Sequence, residues 1–123
     1  VAEQKTFTTV EQIYTWNPDW ILCNEPSASE YYKEDAKMAG LSAVREGHVL
    51  QLPVGISRWG HPGSIETPLA VLFLGKTLYP SYFEDIDLDQ EVKYFYETFV
   101  GIELSNEELK QIYSGQGMRD AKE

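Results

Sequence analysis

Residues 57–66, SRWGHPGSIE, place an arginine, a tryptophan, a histidine and a glutamate in one short stretch punctuated by glycine and proline. Each side chain has a definite chemistry. The Arg58 guanidinium can fork onto a carboxylate or another oxyanion. The Trp59 indole can stack on a flat or bulky ligand, or cover a core. His61 alone is not a metal site, because zinc takes three or four ligands. Glu66 directly precedes Thr67–Pro68, a helix-start pair, so its charge can favour the helix dipole or stay exposed for a partner's arginine.

The remaining reactive residues point to no catalytic constellation. Cys23 lies in the apolar run WILCN and reads as a small core hydrophobe, and a lone cysteine forms no internal disulfide. His48 opens an apolar stretch and reads as structural. Asp85, Asp87 and Asp89 alternate as in a calcium loop, but the sixth and twelfth positions hold Gln90 and Tyr96 instead of glycine and glutamate. Their simpler role is to sit before a helix N-terminus. The sequence has no phosphate-cradling glycine loop, no G-x-S-x-G and no H-E-x-x-H.

The elements that must position residues 57–66 alternate between helix and strand. TTVEQIYTW opens a helix, capped by Thr8 with Glu11 or Thr9 with Gln12. Residues 20–24 and 48–52 are short apolar strands of the parallel, buried kind. EPSASEYY reads as a loop, and KEDAKMAGLSAV as a helix ending near Gly40. TPLAVLFLGKTL is a helix so apolar that burial between layers is expected, with Thr67 as N-cap. SYFEDIDLDQ reads as an acidic loop. A further helix follows, with Val92, Phe95, Phe99 and Val100 on one face and Gly101 as its stop. The last helix carries a Ser105–Glu108 capping box and stops at Gly115, with 116–123 as a frayed tail. KTFTT, residues 5–9, is a candidate third strand. The order implies an α/β fold: a Rossmann-like layered lobe with a short, mostly parallel sheet flanked by helices. In such sheets ligands bind beyond the carboxyl ends of the strands, where loop 54–66 falls.

The chain's 123 residues suit one domain, and 42% hydrophobic content with 13% aromatics suffices for a core. A formal net charge of −10 disfavours nucleic acid and electrostatic docking to anionic lipid. The longest apolar run, 69–74, falls far short of a membrane span.

Four phrases in order, TTVEQIYTWNPDWILCN, LSAVREGHVLQLP, SRWGHPGSIETPLAVLFLGKTLYPSYF and EELKQIYSG, resemble the C-terminal lobe of the substrate-binding proteins that serve ABC importers of iron–siderophore, haem and cobalamin complexes. The resemblance covers residues 8–115, nearly the whole chain. It implies a partial lobe over 1–115 of a two-lobe, non-enzymatic receptor that holds a metal chelate between its lobes and delivers it to ABC permease subunits. Trp59 matches the cleft tryptophan, flanked by Arg58 and His61. Glu66 matches an exposed permease-docking glutamate.

The resemblance also implies an extracytoplasmic place, periplasmic or lipid-anchored, with an export signal, lipoprotein cysteine and N-terminal lobe outside this sequence. No protein metal ligand or cofactor is expected, the cargo being a ferric siderophore or a related complex. A homodimer of the partial lobe, pairing through open sheet edges or cleft faces, is a further expectation. This reading places Arg58, Trp59, His61 and Glu66 on one exposed rim, and it falls if the indole is sealed inside the molecule with the neighbouring acid turned away from the outer surface. Two alternatives stay open. One is a small α/β enzyme using a carboxylate with His61. The other is an interaction module with Trp59 as a lid on the core.

Overall fold

Thr9 opens helix α1 (Val10–Trp16) by accepting a hydrogen bond from the Gln12 amide, so of the two possible caps the second is used. Asn17, in the left-handed region at φ 38°, ends the helix ahead of Pro18. Strand β1 (Ile21–Cys23) follows, then α2 (Ala28–Glu34), α3 (Ser42–Arg45) and β2 (Val49–Gln51). The computed structural model describes residues 7–117. The strands pair in parallel, with Ile21 opposite Val49 and Cys23 opposite Gln51. Both were expected one residue longer at each end. The observed fold is thus α/β, with one short two-stranded parallel sheet among the described residues. Of the suggested strand at 5–9, residues 5 and 6 lie outside the described residues, and 7–9 are not strand.

One expectation is corrected between the strands. The stretch read as a loop contains α2, whereas the stretch read as a helix around residues 35–41 is a series of turns. Ser27 takes a left-handed conformation and redirects the chain into α2. The Asp35 carboxylate then accepts from the Lys37 amide, a local bond that competes with helix continuation. The Tyr14 hydroxyl ties this turn to α1: it donates to the Lys37 carbonyl at 2.7 Å and accepts from the Gly40 amide at 3.0 Å. His48 is structural, stacked on Trp20 with ring centroids 4.2 Å apart, its Nδ1 3.1 Å from the Asp19 carbonyl oxygen. Cys23 is buried, and burial raises its thiol pKa.

Helix α4 (Thr67–Leu78) starts at Thr67 with Pro68 in its first turn, and the N-cap is Glu66 instead of Thr67. Its expected burial on all sides is also corrected. Leu69 and Ala70 are buried, but Val71 is 61% exposed, because the described residues pack against only part of the helix. A 3₁₀ turn (Pro80–Phe83) follows, with the Phe83 ring set against Gly75 at a point where a Cβ would clash. The Asp87 side chain caps α5 (Leu88–Phe95) by accepting from the Gln90 amide, and Asp89 accepts from the Tyr113 hydroxyl. Two of the three alternating aspartates therefore have structural work.

Past α5 the helix widens into a single π turn, Tyr96–Val100, closed by Gly101 at φ 75°. The extra residue in that turn rotates the apolar face. Val92 and Tyr96 therefore point inward and are fully buried, whereas Phe99, expected on the inner face, is 70% exposed. Helix α6 (Asn106–Tyr113) has the reciprocal Ser105–Glu108 capping box and ends before Gly115 at φ 80°. Gly117, expected in a frayed tail, is buried beside Val54. Residues 118–123 lie outside the described residues.

The main core lies between α4, α5, the π turn and α6, around Trp59, Leu69, Val92, Tyr96, Leu109 and Ile112. Gln51 links it to the sheet. Its amide nitrogen donates to the Cys23 and Glu25 carbonyls at 3.1 and 2.9 Å, and its side chain lies against Gly115. The Val54 amide donates to the Ile112 carbonyl at 3.1 Å, so the chain leaving β2 is fastened to the end of α6. No helix among the described residues is long and apolar enough to cross a membrane.

Candidate ligand-binding site

Loop 54–66 faces two ways. Its inward residues are Trp59 and Glu66. The Trp59 indole is 1% exposed and meets the Phe73 and Tyr113 rings edge-on, with centroids 6.1 and 6.3 Å away. Burying a side chain of this size contributes about 5 kcal/mol as an upper bound. Its backbone amide donates to the Pro53 carbonyl at 3.1 Å. Trp59 is thus the wedge that fixes the loop to α4 and α6.

Glu66 is fully buried and forms no ion pair among the described residues. An unpaired carboxylate is costly to bury without strong hydrogen bonds. It has four. The Ile56 amide donates to Oε1 at 3.0 Å and the Ser57 amide to Oε2 at 2.9 Å. The Ser57 hydroxyl donates to Oε2 at 2.8 Å, and the Tyr96 hydroxyl donates to Oε1.

Ser64 closes the ring: its Oγ accepts from the Glu66 amide at 3.1 Å and lies 2.7 Å from Ser57 Oγ. With the Ser57 proton given to Glu66, the Ser64 hydroxyl donates to Ser57, and each hydroxyl donates once. Gly55 is required here, since a Cβ at that position would overlap the Tyr96 hydroxyl and the Glu66 carboxylate. Burial, then the Glu66 hydrogen bond and charge, raise the Tyr96 phenol well above the ordinary tyrosine value.

These two placements correct the expectation of a four-residue exposed rim. Trp59 does not line a cleft, because its ring is enclosed by core side chains. Glu66 does not stand ready for a partner's arginine, because its carboxylate is turned inward and saturated with donors.

The outward residues are Arg58 and His61. They line an open depression of about 470 Å³ together with Pro26, Ile56, Ser57 and Gln116. Pro26 comes just after β1, and residues 54–58 just after β2, so the depression lies beyond the carboxyl ends of both strands, where the sheet topology places it. Residues 54–58 form a tight reversal: Val54 bridges Arg58, and the Gly55 amide donates to the Ser57 carbonyl at 3.0 Å. Arg58, about one-third exposed, pairs with the outlying Glu25 carboxylate. His61 Nδ1 lies 2.7 Å from the Pro62 carbonyl oxygen.

In a chain of net charge −10, the described residues lining this depression include an arginine, a histidine and no carboxylate, the Glu25 carboxylate reaching Arg58 from outside the lining. Such a lining can hold an anion through the guanidinium, with uncharged walls against the rest of the ligand. Among the described residues no three histidines, cysteines or carboxylates group to hold a metal ion. Sequence reasoning missed Ser57, Ser64 and Tyr96. The serines sit inside the highlighted segment but resemble ordinary turn residues, and the inward turn of Tyr96 depends on the π turn.

No protein-family model matches the chain. The molybdate-binding protein MolA of Haemophilus influenzae is 31% identical over 93 residues, which are 74% of this chain and 26% of that protein. A periplasmic solute-binding protein of Veillonella parvula superposes with a TM-score of 0.74 at 32% identity, over 88% of this chain and 34% of its own. An ABC transporter solute-binding protein of Sulfurospirillum deleyianum gives 0.75 at 31%, over 86% and 33%. The crystal structure of MolA bound to molybdate gives 0.71 at 29%, over 81% and 31%. The chain spans about a quarter of the length of the curated relative it matches and about a third of the solved structures. These relatives are transport proteins, not enzymes. The homologues of this chain are therefore solute-binding proteins of ABC transporters, and the chain has the α/β fold of part of such a protein.

Proposed function

We propose that the chain forms most of the C-terminal lobe of an extracytoplasmic receptor that captures an anionic metal species and delivers it to an ABC permease. The observation that carries this reading is the depression whose described lining holds Arg58 and His61 and no carboxylate, on an otherwise acidic chain, with the exposed Glu25 pairing to Arg58 from outside the lining. A second lobe closes over that wall, since a ligand held by one open face would leave most of its surface in water.

Two ligand classes fit. Molybdate is the cargo named for MolA, and a tetrahedral oxyanion suits a guanidinium fork. A ferric siderophore or haem is the second class. The depression, at about 470 Å³, is larger than a tetrahedral oxyanion fills and falls in the range of small-molecule pockets. Calorimetric titration of the full-length protein with molybdate, an anionic ferric tris-catecholate, haem and cobalamin tests the reading. Saturable binding of one of the first three supports an anion receptor. Binding of none of them overturns it.

A further inference from the structure

We infer that Glu66, with Tyr96 and Ser57, is a positioning residue for the ligand wall: its buried carboxylate is the template around which residues 54–58 fold, and it acts on the ligand through Arg58. The inference rests on the anion-receptor reading of the depression. Residues 54–58 carry few contacts that could hold their shape. The Val54–Arg58 bridge and the Gly55–Ser57 hydrogen bond close the reversal, and its two ends are fastened by the Val54 amide to Ile112 and by the buried Trp59. The carboxylate holds its middle, Ile56 and Ser57, to the core. It takes the Ile56 and Ser57 amides and the Ser57 hydroxyl from one side, and the Tyr96 hydroxyl of the π turn from the other.

Two consequences follow from the donor inventory. The amides of Ile56 and Ser57 are spent on an internal anion, so at these two positions the backbone offers a ligand no donor. At these two positions recognition of an anion falls to neighbouring side chains, and Arg58 is the cationic one beside them. Arg58 is also the residue next to Ser57, so a displacement of the Ser57 amide moves the guanidinium. Glu66 is 0% exposed and Trp59 1% exposed, so neither reaches the ligand, yet both set where Arg58 begins.

The test uses the full-length protein and three variants. Glu66→Gln keeps the shape but replaces one acceptor oxygen with a donor that opposes the loop amides. Tyr96→Phe removes the hydroxyl from the other side, and it serves where Glu66→Gln fails to fold. Arg58→Ala removes the proposed ligand contact. Amide hydrogen exchange is followed at Ile56 and Ser57, and affinity for molybdate and for an anionic ferric tris-catecholate by calorimetry. The expected result for Glu66→Gln or Tyr96→Phe is exchange at residues 54–58 accelerated beyond the acceleration that lower global stability gives the α4–α6 core, with affinity reduced at least about fivefold. That loss disappears when Arg58 is already alanine, which is the coupling expected of residues acting as one unit.

An affinity loss of equal size in both backgrounds, or exchange at residues 54–58 accelerated no more than in the α4–α6 core, assigns Glu66 a purely structural role and overturns the inference. Unchanged exchange at Ile56 and Ser57 overturns it as well. Failure of the unaltered protein to bind either probe overturns instead the receptor reading beneath it, and the exchange pattern separates the two failures.

Discussion

The Tyr96 hydroxyl donates to the Glu66 carboxylate across thirty residues of sequence, joining the π turn after α5 to the start of α4. Both residues are fully buried, and neither has a bulk-water substitute for the bond. Removing the hydroxyl leaves the carboxylate one donor short. Tyr96→Phe is expected to lower stability by about 1–3 kcal/mol, measured as a shift in the urea midpoint at unchanged slope.

Alkaline pH gives a second reading of the same site. Burial, then hydrogen bonding to a carboxylate and its charge, raise both Tyr96 (by Glu66) and Tyr113 (by Asp89) above the ordinary phenol value. The folded state therefore keeps both protons after the unfolded chain has begun to lose them. Their contribution to stability is complete below about pH 10, the unfolded value, and is lost as pH rises towards the folded values. Unfolding midpoints measured from pH 8 to 11 should fall above about pH 10, and less steeply in the Tyr96→Phe/Tyr113→Phe double variant. Identical slopes would remove both phenols from the account.

Trp59 should behave as core. Trp59→Ala is expected to cost about 3–5 kcal/mol. In a full-length variant where Trp59 is the sole tryptophan, its emission should be blue-shifted and resistant to acrylamide. Direct quenching of that indole by bound ferric chelate at contact range would place the ring in the cleft, contrary to its 1% exposure.

On the anion-receptor reading, Glu25 competes with the ligand for Arg58. Its carboxylate pairs with the guanidinium while being mostly exposed itself. An exposed pair of this kind is weak, so Glu25→Gln should strengthen anion binding modestly, by about two- to fivefold. The gain should shrink as salt is raised, because screening weakens both the pair and the anion's attraction. Calorimetry at low and high ionic strength checks both statements.

Much of the architecture was legible in the sequence, for local reasons. The Ser105–Glu108 box, Pro68 in the first turn of α4, and the stops at Gly101 and Gly115 are short-range signals, and each appears within a residue of its expected place. The two parallel strands were legible from apolar runs between breakers. Phe99 was misplaced because helical periodicity assumes a constant turn, and the π turn breaks it. Glu66 and Trp59 were misplaced for a different reason. Residue type and resemblance indicate what a side chain can do, but its direction is set by tertiary partners such as Tyr96, Phe73 and Tyr113. Their burial overturns the receptor reading as argued from an exposed rim, and it is the placement expected of the alternative in which Trp59 is a lid on the core. The receptor reading now stands on other ground: Arg58 and His61 in the depression, and kinship with solute-binding proteins.

The most direct test is the affinity of the full-length protein for molybdate and for an anionic ferric tris-catecholate before and after Arg58→Ala. The account predicts saturable binding of one of them, weakened about tenfold or more by the substitution, with the unfolding midpoint nearly unchanged. Binding that is indifferent to Arg58 would contradict it.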